Sequence, residues 1–119
     1  MEQKDILKKL DEYSTLINDI GIKLDIDSKK ERVSTLESIS NDTSFWNDME
    51  NAKNVLSELK GLRDICKSYD SVYELISDVR DIVSNSFSEE DIELINDEMA
   101  NISESLSKLK LFALLSGEF

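Results

Sequence analysis

The sequence predicts an all-α protein, and three observations carry that prediction. Proline is absent from the 119 residues and glycine occurs only at positions 21, 61 and 117, a composition that disfavours a turn-rich β fold and suits long helices. Apolar residues recur at steps of three and four along separate stretches of the chain. The last two of these stretches are long and are joined by only a short turn, so they must run antiparallel. The expected architecture is an antiparallel long helical hairpin, a coiled coil, with two shorter N-terminal helices packed at one end, four helices in total. At this length one hydrophobic core is expected, and residues 1–119 are taken as a single domain.

In the first stretch, Ile6, Leu10, Tyr13, Ile17, Ile20 and Leu24 alternate steps of four and three. They define a helix over about residues 3–20, with Gly21 suited to a left-handed terminating residue. The stretch LDIDSKKER then reads as a short connection and a new start, where Ser28 and Glu31 have capping-box spacing. The second helix, about 29–40, buries Val33, Leu36 and Ile39 and stops at SNDTS, whose side chains compete for backbone hydrogen bonds.

From Asp48, a favourable N-cap, a third pattern runs through Ala52, Val55, Leu56, Leu59, Leu62, Cys66, Tyr69, Tyr73, Ile76 and Val83, with Val79 substituting at the break near Arg80. It predicts one helix roughly 54 Å long. Gly61 lies inside it at a cost of about 1 kcal/mol against alanine, which points to a bend or a close helix contact there. SNSFSEED is the turn, with Ser88 as a second cap. The final helix carries Ile92, Ile95, Met99, Ile102, Leu106, Leu109 and Ala113 at heptad spacing. The two short helices are expected to pack near residues 50–65 and 100–115, leaving residues 75–95 as a protruding tip.

Composition narrows the chemistry. With no histidine and one cysteine, Cys66, the chain cannot build a His-based acid/base pair, a Cys/His zinc site or an internal disulfide. Cys66 falls on the apolar stripe and reads as a small buried hydrophobe. Adjacent carboxylates such as Glu89 and Glu90 point about 100° apart on a helix and do not converge on one ion. No cofactor, no metal and no catalytic residue are therefore expected. The chain begins at Met1 with polar residues, and no apolar run approaches the roughly 18 residues of a membrane span or has the form of a signal peptide, so a cytoplasmic protein without membrane contact is expected.

The net charge of −12 is unevenly placed, since residues 70–104 hold eleven carboxylates against one cation, Arg80. Such a lobe repels phosphate backbones and attracts basic protein surfaces, so protein contacts rather than direct nucleic-acid contacts are expected of it. Asp78, Asp81, Glu89, Glu90 and Asp91 are its candidate contact residues, against the plain alternative of a solvated helix surface. The motif Phe45-Trp46-Asn47-Asp48 places the only tryptophan between two helices. The aromatic pair reads either as a structural plug for the end of the bundle, with Asn47 or Asp48 capping the long helix, or as a surface anchor.

These residues also carry a family resemblance. LDIDSKKERVSTLESISNDTSFWND, then AKNVLSELKGL, then the closing LLSGEF resemble, in that order, the N-terminal domain of bacterial peptide chain release factors. The aromatic pair of FWND is similar to the second type, which terminates at UGA and UAA codons. Thr43 and Ser44 occupy the loop where that family usually has a proline, which touches only the rigidity of the loop. In the family, a Ser-Pro-Phe tripeptide reads the stop codon and a Gly-Gly-Gln motif promotes peptidyl-tRNA hydrolysis. This chain has no proline and no adjacent glycines, so no catalytic residue of the family is carried over.

The resemblance implies a fragment of a translation termination factor acting as a non-catalytic module that docks on the ribosome near the stalk base of the large subunit. It also implies that Ser116, Gly117 and Glu118 begin a hinge, with 116–119 opening a linker to codon-reading and catalytic domains. The heptads and acidic tip alone support a different reading, a free-standing acidic coiled-coil adaptor or scaffold. Self-association of the fragment is a further expectation, because a hairpin separated from its parent leaves apolar seam exposed.

Overall fold

The computed structural model describes residues 2–117. Four α-helices follow one another: α1 (Gln3–Lys23), α2 (Ile26–Ser40), α3 (Met49–Asn85) and α4 (Ile92–Leu115). Single 3-10 turns at Phe45–Asn47 and Glu89–Asp91 precede α3 and α4, and no strand occurs among the described residues. The described residues form two compact units, one from residues 2–24 and 68–117, the other from residues 25–67, with the boundary inside the unbroken α3.

The first unit is a three-helix bundle. Its core is the predicted α1 stripe, Ile6, Leu10, Ile17, Ile20 and Leu24, meeting Val72, Ile76, Val79 and Val83 of α3 and Ile95, Met99, Ile102, Leu106, Leu109 and Ala113 of α4. Each set repeats at three and four residues, so one face of each helix is removed from water. The chain reverses between α3 and α4 at residues 86–91. There Ser88 Oγ accepts from the Glu90 amide at 3.3 Å, and the Asp91 amide donates to the Ser88 carbonyl at 3.0 Å.

Helix α1 runs antiparallel to the second half of α3. The Gln3 side-chain amide donates to the Val83 carbonyl at 2.7 Å, Arg80 donates to Asp11 Oδ1 at 2.7 Å and to Ser14 Oγ at 2.9 Å, and Gly21 lies against Tyr69. The acidic stretch of α3 is therefore not left bare as the sequence suggests. The α1 stripe from Ile6 to Leu24 is longer than the stripe from Val72 to Val83, and both are buried.

Gly21 does not end α1. The helix continues to Lys23, and a Cβ on Gly21 would stand 2.6 Å from Tyr69 Oη and 2.8 Å from its Cε2. Glycine here allows the close approach of the Tyr69 ring rather than a left-handed turn. The left-handed residue is Asp25, at φ 50° and ψ 56°, and short polar residues of this kind tolerate that conformation.

The second unit packs α2 on the first half of α3 around Ile26, Leu36, Phe45, Ala52, Leu59, Ile65 and Cys66. Two exposed ion pairs tie the helices: Arg32 forks onto Glu58 at 2.7 and 3.2 Å, and Arg63 meets Glu37 at 2.9 Å. The Arg32 hydrogen bond holds the Glu58 carboxyl below its ordinary range. Ser28 is not the cap expected of it. Burial of Ile26 draws the start of α2 forward, so Ser28 lies within the first turn and Asp25 precedes the helix. Gly61 makes no close helix contact, because nothing lies within 4 Å of where its Cβ would be.

Helix α4 ends at Ser116, whose hydroxyl donates to the Ala113 carbonyl at 3.0 Å, and at Gly117 with φ 79°. A left-handed glycine after the last turn is a common helix terminator. Of the expected hinge residues, Glu118 lies outside the described residues.

Candidate interaction surface

The segment leading to Trp46 is ordered by its own polar side chains. Asp42 Oδ1 accepts from the Ser44 amide at 2.9 Å and from the Ser44 hydroxyl at 2.7 Å, which folds the end of α2 into a tight turn. These two bonds, the backbone one foremost, hold the Asp42 carboxyl below its ordinary range. The Phe45 amide then donates to the Asp42 carbonyl at 3.1 Å and the Asn47 amide to the Ser44 carbonyl at 3.0 Å, giving the 3-10 turn. Asp48 is extended, and its Oδ1 accepts from the Asn51 amide at 3.0 Å, capping α3.

The turn sends the two aromatic rings in different directions. Phe45 is 5% exposed and sits in the core of the second unit, whereas Trp46 is 56% exposed. Their rings meet edge to face, with centroids 5.0 Å apart and planes at 82°. Phe45 is therefore buried, and Trp46 meets it edge to face with much of the indole facing solvent.

Trp46, Met49, Glu50, Ala52, Lys53 and Leu56 line a groove of about 570 Å³. Residues 49, 52, 53 and 56 share one face of α3, so Met49 and Leu56 extend the apolar surface of Trp46 along two helical turns. Met49 is 66% exposed. The sequence pattern places Leu56 on the core stripe and leaves Met49 without a role. The available signal is the spacing from Trp46 through Met49 to Leu56, which lies beside the stripe through Ala52 and Leu59.

The acidic candidates lie in the other unit. Asp78, Asp81, Glu89 and Glu90 are exposed and Asp91 is half-buried. Ile82 and Leu94 are exposed among them. Arg80, the one cation of residues 70–104, is engaged by Asp11 and Ser14. Among the described residues no group of three or more Cys, Asp or Glu side chains is arranged to hold a metal ion. Among the same residues, no helix is long and apolar enough to cross a membrane.

Comparison with known families decides the relationship, since residues 29–118 match the PCRF domain. The chain belongs to the PCRF domain family. This PCRF domain is 30% identical over 120 residues to the peptide chain release factor 2 of a Nitratiruptor species, covering 98% of the chain and 32% of that relative. It is 29% identical over 122 residues to the peptide chain release factor 2 of a strain of Clostridium perfringens, covering 100% of the chain and 33% of the relative. Against the protein of the same name from a strain of Staphylococcus epidermidis the identity is 25%, over 98% of the chain and 32% of the relative. The PCRF domain chain thus spans about a third of the length of the curated relatives it matches. No solved structure matches it.

Proposed function

We propose that this chain is a fragment of a translation termination factor whose parent recognises UGA and UAA codons, and that it acts as a non-catalytic module docking the factor on the ribosome. The observation that carries the reading is the match of essentially the whole chain to proteins named peptide chain release factor 2. The absence of histidine from the sequence and the burial of Cys66 favour a binding role over a catalytic one. The site of action is the cytoplasm, where termination takes place.

Trp46, with Met49 and Leu56, is the anchor of this docking. Tryptophan at the centre of a small apolar surface is the side chain most often found to dominate binding. The stalk-base region of the large subunit is the docking place, by family resemblance. The contacts there are to protein rather than to ribosomal RNA, which the acidic lobe repels. The hinge begins at Ser116 and Gly117, where α4 ends.

Co-sedimentation of the chain with ribosomes tests the reading. Binding is expected, and Trp46→Ala should weaken it at least about tenfold, the equivalent of ~1.4 kcal/mol. Absence of ribosome binding by the unaltered chain refutes the docking role. Retained binding by Trp46→Ala refutes the anchor alone. Release of peptide from peptidyl-tRNA by the chain itself would refute the non-catalytic assignment.

A further inference from the structure

Sulfur is divided between the core and the surface. Met99 is 7% exposed and Cys66 is buried, whereas Met49 is 66% exposed and lines the groove with Trp46 and Leu56. Among the described residues, Met49 is therefore the methionine whose thioether stands open to water. A peroxide converts an accessible thioether to a sulfoxide, which is polar and accepts hydrogen bonds strongly, while a core packed around the sulfur slows the same reaction. Leucine at this position supplies the same apolar surface without that reactivity.

We propose that Met49 is a reversible oxidation site, and that its sulfoxide turns the apolar groove polar. With hydrogen peroxide as oxidant the O–O bond breaks and one oxygen bonds to the sulfur, which gives up two electrons; the other oxygen takes both protons and leaves as water. A thiol-dependent methionine sulfoxide reductase reverses the step, as the sulfoxide oxygen leaves as water and two thiols join in a disulfide. Lys53 is placed to hold the oxidised form. It stands one helical turn beyond Met49, and long side chains on a helix lean toward its N-terminus, so the ammonium reaches back over residue 49. Lys60 and Arg63 are engaged by Asp64 and Glu37, whereas Lys53 has no carboxylate partner among the described residues. The sulfoxide oxygen gives it an acceptor and draws it across the groove.

The two states differ at the surface and not in the core. Met49 stands mostly in water in the first turn of α3, so its oxidation leaves the helices in place, while an oxygen on Met99 enters the packed interior. A partner that closes over the oxidised groove removes water from the new acceptor at the centre of a small apolar contact, and affinity falls. That loss of affinity rests on the docking reading; the chemistry at Met49 and its effect on Trp46 do not.

Brief treatment of the 119-residue chain with dilute hydrogen peroxide, ended with catalase, tests the proposal. Peptide mapping by mass spectrometry should show Met49 gaining one oxygen at least about tenfold faster than Met99. Met1, which lies outside the described residues, is followed on its own peptide. Far-UV circular dichroism and Tm should not change, while the emission of Trp46, the only tryptophan, should shift to longer wavelength and return on incubation with reductases for both sulfoxide epimers. Met49→Leu should show no shift on treatment. Co-sedimentation with ribosomes should weaken at least about tenfold on oxidation of the unaltered chain, and treatment should make no difference to Met49→Leu. Equal rates at Met49 and Met99, an emission shift that persists in Met49→Leu, or unfolding on oxidation overturns the proposal. So does an oxidised chain that binds ribosomes as tightly as the untreated one. If the untreated chain does not bind ribosomes, the docking reading falls, and the mass and fluorescence results alone decide the oxidation site.

Discussion

Truncating each ring of the aromatic pair gives two very different losses, and the larger belongs to the smaller side chain. Phe45 is 5% exposed, so nearly all of a phenylalanine surface is removed from water; at ~25 cal/mol per Å², and after discounting a compact unfolded chain, Phe45→Ala costs about 3 kcal/mol. Trp46 is 56% exposed and buries less than half of its surface, so Trp46→Ala costs about 1 kcal/mol on the same scale. For a chain of this size each kcal/mol moves the midpoint by about 4 °C, which gives drops near about 12 °C and about 4 °C. Thermal unfolding followed by far-UV circular dichroism reads both. A Tm for Trp46→Ala at or below that of Phe45→Ala would refute the division of roles and return tryptophan to the core.

Three further outcomes follow from single positions. Gly61→Ala should stabilise by about 1 kcal/mol in urea unfolding, since it lies within α3 with nothing near its Cβ direction, whereas Gly21→Ala should fail to show that gain because Tyr69 must move aside. Asp48→Ala should cost about 1 kcal/mol by releasing the Asn51 amide from its cap, with Asp48→Asn costing less. Asp42 binds its proton less tightly in the folded chain than in the unfolded one, so its contribution is complete above its unfolded pKa and is lost as pH falls through its lower folded value. Asp42→Asn should therefore lose less stability than the unaltered chain between pH about 5 and about 2, measured by urea midpoints across that range.

Periodicity made the helices legible because each buries one face for many turns. Ile95, Met99, Ile102, Leu106, Leu109 and Ala113 all lie where their heptad spacing placed them. Local chemistry was less reliable where a distant residue intervened. Gly21 has the place of a terminator, yet the helix runs through it, and Tyr69, far along the chain, lies where its side chain would be. Ser28 and Glu31 have the capping spacing, yet burial of Ile26 outweighed it and moved the start of α2. The sequence left the aromatic pair open between a plug and a surface anchor; a 3-10 turn points successive side chains apart, so Phe45 entered the core and Trp46 did not. The family was readable from motif order, whereas the groove required knowing which side of α3 faces outward.

The place of α1 bears on how domains of this family are delimited. The family match begins at residue 29, after α1 has ended, yet α1 contributes Ile6, Leu10, Ile17 and Ile20 to the core and holds Arg80 through Asp11 and Ser14. A protein trimmed to the matched residues would keep the recognisable sequence while opening the seam of Val72, Ile76, Val79 and Val83 to water. Where sequence similarity is strongest and where the chain can be cut without harm are different boundaries, and here they differ by one whole helix.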